Sequence, residues 1–189
     1  MKNIGIFLLS AITIAMYSFD SSEPLTRNIF DFNSSSDAVD WKIVNDDVMG
    51  GISTSKFTIT SDGTGLFNGK VSTENYGGFA SVRFSSEPVN VNNMKSIKIR
   101  LKGDGKEYQF RIKHKETDYY SYVQTFSTNG KWQSVKLKLN EFYPSFRGRK
   151  LNMRNFNKTS IEQFSILIAN KKDETFEIEL DRIDLISDL

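Results

Sequence analysis

Alternation with a period of two dominates this chain and limits what it can fold into. Ile97, Ile99 and Leu101 alternate with Lys98, Arg100 and Lys102. Tyr108, Phe110 and Ile112 alternate with Gln109, Arg111 and Lys113. The same rhythm recurs at Val135, Leu137 and Leu139, and at Phe176, Ile178 and Leu180. Strands with one buried and one solvated face carry this pattern, as in antiparallel sheets. Further strands are expected over 29–33, 40–44, 55–60, 65–73, 78–84, 119–127 and 162–169. No helical stretch is long enough for a βαβ crossover, which argues against a parallel sheet. Many short strands with frequent turns predict an all-β antiparallel β-sandwich of jelly-roll type.

Finer expectations follow from local chemistry. Gly103-Asp104-Gly105 reads as a hairpin turn and Asn129-Gly130 as another turn. Short helical turns are expected within 159–164 and 140–143. Asp181-Arg182-Ile183-Asp184 breaks alternation near the middle of the last strand, as a bulge would. Trp41 and Trp132 are expected to anchor the core.

The chain has 189 residues, 38% hydrophobic with 15 Phe, enough for one real core. Residues 29–189 read as one sandwich domain, 19–28 as a polar linker, and 1–18 as a signal peptide. The leader carries Lys2, then a mostly apolar run over 4–16 that is short for a membrane span. A periplasmic or extracellular site follows if the leader is a signal, an intracellular one if not. No stable membrane span is expected. Net charge is +2 from 25 basic and 23 acidic residues, which gives no support for a nucleic-acid partner. The absence of Cys excludes disulfides, thiolate metal sites and a Cys nucleophile. One histidine, His114, excludes a His-rich metal site and points to a structural role near a strand end. No phosphate-cradling glycine loop is present. The residues call for no cofactor and no resident metal.

Two polar segments bearing double glycines stand out. The first runs through Asn45, Asp46, Asp47, Gly50 and Gly51, and the second through Glu74, Asn75, Tyr76, Gly77 and Gly78. Adjacent carboxylates repel, so Asp46 and Asp47 need donors, a cation or water nearby. Three answers are open. Asp46 or Asp47 caps the amides of its own turn. Arg147 and Arg149 hold the pair through charge-assisted bonds. Calcium binds through oxygen ligands beside Glu74 and Asn75, although no spacing matches an EF-hand loop. Asp46, Asp47, Glu74, Asn75, Arg147 and Arg149 are expected to form one polar patch at a sandwich edge. Tyr120 and Tyr122 share one face of a strand and are candidates to stack on a sugar, against a reading as core. Asp47 and Glu74 as a glycosidase pair is a weaker option.

Taken together these segments carry a resemblance. The run Asn45-Asp46-Asp47-Val48-Met49-Gly50-Gly51-Ile52-Ser53 is one piece, and Glu74-Asn75-Tyr76-Gly77-Gly78-Phe79 another. Lys102-Gly103-Asp104-Gly105 and Phe142-Tyr143-Pro144-Ser145-Phe146-Arg147-Gly148-Arg149 follow in order. The closing piece is Phe176-Glu177-Ile178-Glu179-Leu180-Asp181. The chain resembles the complex I intermediate-associated protein 30 family over about residues 29–186. Tyr76 departs from the pattern, which would place a second Asn there. The resemblance implies a galactose-binding-like jelly roll and no catalytic activity. It also implies a role like that of the chaperone-like assembly factors among its mitochondrial members. Such a role sits badly with an export signal. The expected function is therefore a non-catalytic domain that binds a protein partner. An exported carbohydrate-binding module is the alternative, and a glycoside hydrolase the weaker one.

Overall fold

The computed structural model describes residues 23–46 and 50–187. The leader read over 1–18 and Asp47 lie outside the described residues. Thirteen strands are described, with no α-helix among the described residues. They are β1 (Thr26–Asp31), β2 (Trp41–Asn45), β3 (Thr54–Ile59), β4 (Gly65–Val71), β5 (Ala80–Asn90), β6 (Ser96–Gly103) and β7 (Glu107–Lys113). Then come β8 (Ser121–Ser127), β9 (Trp132–Lys138), β10 (Tyr143–Phe146), β11 (Arg149–Lys150), β12 (Ser160–Ile168) and β13 (Glu174–Ile186). One sheet runs β3-β4-β13-β6-β9, with β1 also paired to β13. The other runs β11-β10-β8-β7-β12-β5-β2. Every pairing is antiparallel. The sandwich expected from the period-two pattern is the observed architecture.

The inward phases of both sheets make one core. Ile97, Ile99, Leu101, Phe176, Ile178 and Leu180 meet Phe110, Ile112, Phe164 and Ile166 there. At one end Trp41 stacks on Phe57 at 5.1 Å and on Phe84 at 5.3 Å, with the edge of Phe30 also against it. Offset and edge-on ring contacts add to area burial. The long β13 pairs β4 through Leu180 and β1 from Arg182 onward. Its register against β6 slips between Leu180 and Arg182, which is the bulge expected from the broken alternation.

Several local expectations change. The turn at Gly103-Asp104-Gly105 is not a hairpin: β6 and β7 lie in opposite sheets. Asn129-Gly130 likewise carries the chain from β8 across to β9. The two crossings are pinned to each other. Thr128 Oγ1 accepts from Gly105 N–H at 3.0 Å and donates to the Lys106 carbonyl at 2.9 Å. Trp132 is no core anchor; it is 39% exposed under the Arg100 guanidinium. The turn expected in 159–164 is the start of β12, because Ser160 and Ile161 pair with Asn90 and Val89. A 3-10 turn does occupy Leu139–Glu141. Residues 26–28 of the expected linker belong to β1, where Asn28 donates to Asp184 Oδ1 at 2.9 Å. No helix among the described residues is long and apolar enough to cross a membrane.

Candidate functional site

The two double-glycine segments meet, and Asp46 is why. It follows β2, and its side chain is only 3% exposed. Its Oδ1 accepts from Ser53 N–H at 3.1 Å, and its Oδ2 from Ser53 Oγ at 2.6 Å. The same Oδ2 accepts from Gly78 N–H at 2.5 Å and Phe79 N–H at 3.2 Å. Ser53 Oγ extends the network to Ser72, whose N–H donates to it at 3.0 Å. One carboxylate thus ties the loop after β2 to the loop before β5. Burial pushes the Asp46 carboxyl up, but the bonds from Ser53, Gly78 and Phe79 outweigh it and hold the group below its ordinary value.

The glycines at the corner make room for that carboxylate. A Cβ on Gly77 would lie 2.6 Å from Asp46 Oδ2 and 2.9 Å from the Ser72 carbonyl. A Cβ on Gly51 would collide with Asp46 Oδ1. Between them the chain makes a 3-10 turn, Glu74–Tyr76, that projects outward. Thr73 moors it, donating through N–H and Oγ1 to Asp173 Oδ1, each at 2.7 Å. Asn75 and Tyr76 both take left-handed backbone, with φ of 53° and 62°. Asn tolerates this region and Tyr pays for it, so the departure at Tyr76 costs strain. That residue is 96% exposed.

The other expected site residues fall elsewhere. Glu74 and Asn75 lie at the exposed rim of the Asp46 corner. Arg147 and Arg149 do not join them. They sit around the β10–β11 turn, at the opposite edge of the seven-stranded sheet from β2. The Arg147 guanidinium lies over the Phe146 ring at 5.3 Å. Tyr122 is 2% exposed and part of the core, with Tyr120 packed against it. Their shared face points inward, and the exposed ring is Tyr119. Burial raises the Tyr122 phenol well above its ordinary value, with Tyr120 adding to the effect. His114 Nδ1 lies 3.0 Å from the Ser160 carbonyl, a strand-end contact. Among the described residues no group of three His, Cys, Asp or Glu could hold a metal ion.

Two features escaped sequence reading. Asp104, expected only as a turn residue, is a second carboxylate node. It accepts from Lys106 Nζ at 2.6 Å, Tyr108 OH at 2.9 Å and Glu177 N–H at 3.0 Å. The other is a row across the outer face of the seven-stranded sheet: Tyr143, Val123, Arg111, Ser165, Arg83 and Lys42, each opposite the next. Phe110, Phe164 and Val82 alternate with these and face the core, so the row faces away from it. Arg111 is held by Gln109 Oε1, which accepts from Nε at 3.0 Å and from Nη2 at 2.6 Å. Burial, then the like charge of Arg83, lowers Arg111 to about 10. A signal existed: Lys42, Arg83, Arg111 and Lys113 all fall on the outward phase of their strands.

The family model for complex I intermediate-associated protein 30 matches residues 30–180. The chain belongs to the complex I intermediate-associated protein 30 family. The mitochondrial complex I intermediate-associated protein 30 of Drosophila melanogaster is 27% identical over 188 residues. That alignment takes in 85% of this chain, which spans 62% of the length of the fly relative. Among solved structures, the family 11 carbohydrate-binding module of a Clostridium thermocellum cellulosomal cellulase superposes with a TM-score of 0.66 at 16% identity. The match covers 89% of this chain and 98% of the module. An agarase matches with a TM-score of 0.57 at 11% identity, over 87% of this chain and 25% of the enzyme. At these identities the likeness is one of fold. The intermediate-associated protein 30 domain thus shares its sandwich with carbohydrate-binding modules, and a shared sandwich does not carry function.

Proposed function

We propose that this chain is a non-catalytic binding domain that engages a protein partner, as an assembly factor of the complex I intermediate-associated kind. The observation that carries the reading is the state of Asp46. Its carboxylate is committed to Ser53, Gly78 and Phe79, so the corner builds shape instead of chemistry. What the corner presents outward is a rim of Glu74, Asn75 and the exposed Tyr76. A strained, solvent-facing aromatic on a turn moored through Thr73 to Asp173 suits a contact residue, since Tyr is enriched in binding hot spots. Membership of the family over residues 30–180 supports the same reading. Arg147 and Arg149, at the far edge of the sheet, would be a separate contact.

The test is capture from host extract with the full chain as bait, beside a Glu74→Ala/Asn75→Ala/Tyr76→Ala variant checked for folding. The expected result is a specific protein set that weakens with the variant. Capture of no protein above control, together with retardation in polysaccharide gels, would overturn the reading in favour of a sugar-binding domain.

A further inference from the structure

The outer face of the seven-stranded sheet gathers cations, and neither Arg83 nor Arg111 has an ion-pair partner among the described residues. Arg83 on β5 and Arg111 on β7 lie on either side of Ser165 on β12. Neighbouring strands are about 4.8 Å apart, so the two arginine backbones are about 10 Å apart on one face. Lys42 is opposite Arg83, and Lys113 is two residues along from Arg111. Among the described residues nothing hydrogen-bonds to or ion-pairs with Arg83. Burial lowers Arg83, and burial together with Arg83 lowers Lys113. Acidic groups reach only the Lys113 end of the face: Lys113 Nζ donates to the Glu116 carbonyl at 3.0 Å, Glu116 and Asp118 partly offset the lowering of Lys113, and the Glu116 carboxylate accepts from Ser85 Oγ at 2.8 Å. Partly desolvated, like-charged guanidinium groups without a counter-ion cost free energy in the unbound fold. Such an arrangement is relieved by an anion.

We infer that this face binds an acidic polypeptide segment, with Arg83 and Arg111 each taking a carboxylate and Lys42 and Lys113 supporting from either side. Three features favour that occupant. The two arginines rise from separate strands on either side of Ser165, a backbone spacing that suits successive carboxylates along one chain. Arg111 is already oriented by Gln109, which lowers the ordering cost of binding. Along the row Ser165 and Val123 are buried, Arg83 and Arg111 half-buried and Lys42 exposed, so the cations are what an approaching chain meets. The inference rests on the protein-partner reading and supplies the chemistry of the partner.

The probe is a labelled synthetic peptide of about 12 residues, Glu-rich with interspersed Ser, titrated into the full chain by fluorescence anisotropy at low salt. Arg83→Gln, Arg111→Gln and their double variant run beside Lys98→Gln, a cation on the outer phase of the other sheet. Each single variant should weaken binding about tenfold, and the double variant should abolish it within the measurable range. Lys98→Gln should change it less than about twofold. Equal losses in Lys98→Gln and the arginine variants would overturn the site, because they would show diffuse attraction only. Tighter binding of oligogalacturonate than of the peptide would overturn the occupant. A thermal midpoint for Arg83→Gln/Arg111→Gln at or above that of the parent is expected, since an unpaired cation pair is removed. A clear fall would mark the pair as structural and overturn the site. Failure of the broader reading looks different: extract capture then enriches no protein with either parent or variant. Capture of the same proteins by the parent and by Arg83→Gln/Arg111→Gln would sink this face alone.

Discussion

The Asp46 carboxylate holds two loops by four hydrogen bonds, and removing it should show how far the corner depends on one side chain. In Asp46→Ala, the N–H groups of Ser53, Gly78 and Phe79 and the Ser53 hydroxyl lose their acceptor. Each unsatisfied buried donor costs about 1–3 kcal/mol, although water entering the new space recovers part of it. A loss of about 3–5 kcal/mol is expected, a large share of a typical total of about 5–15 kcal/mol. Asp46→Asn is gentler. With its oxygen at the Oδ2 position it keeps three bonds, now uncharged, and turns an NH₂ toward Ser53 N–H. That should cost about 2 kcal/mol. Urea unfolding followed by tryptophan fluorescence measures both, with the slope expected to stay constant.

The pH dependence adds a second check. The folded carboxyl is held below its ordinary value, so its stabilisation is present above the unfolded value, about pH 4. It is lost as pH falls through the lower folded value. The gap between parent and Asp46→Asn should therefore close as pH drops below about 4. An Asn variant within about 0.5 kcal/mol of parent at neutral pH, or a gap that persists in acid, would refute the reasoning.

Other perturbations test the same physics elsewhere. Gly77→Ala puts a Cβ against Asp46 and the Ser72 carbonyl and should cost more than Gly148→Ala, where φ is 74° but nothing lies within 4 Å; urea midpoints should separate them by at least about 1 kcal/mol. Trp41→Ala removes a ring stacked on Phe57 and Phe84 and should cost about 3–5 kcal/mol, whereas Trp132→Ala at the surface should cost under about 1 kcal/mol. Burial, then the charge and hydrogen bond of Asp104, raises the Tyr108 phenol far above its ordinary value. In an alkaline ultraviolet titration Tyr108 should ionise only on unfolding, so Tyr108→Phe should leave the pre-transition amplitude unchanged.

The level at which each feature is encoded separates what could be read from the chain alone. The alternation at Ile97–Leu101 and Tyr108–Ile112 reports local contrast between two faces, and it survived into β6 and β7. The bulge in β13 was legible for the same reason, because a slip in phase is itself a sequence event. The double glycines at 50–51 and 77–78 announced a corner. Which of the three answers satisfied Asp46 was not readable, since its donors come from Ser53, Gly78 and Phe79, as many as 33 positions away.

Strand partners were the larger gap. Gly103-Asp104-Gly105 has the composition of a hairpin, yet it joins strands in opposite sheets, because turn residues set a bend and not the destination of the next strand. Trp132 left its expected place in the core, and Tyr122 took the core reading over the stacking one, for a related reason. A ring is buried by what covers it, and on the edge strand β9 Trp132 lies under the Arg100 guanidinium and stays 39% exposed. Arg83 and Arg111 show the limit most clearly. Their own strands reveal which way each points. Only the insertion of β12 between β5 and β7 brings residues 83, 111 and 165 side by side, and that pairing is a property of the folded sheet as a whole.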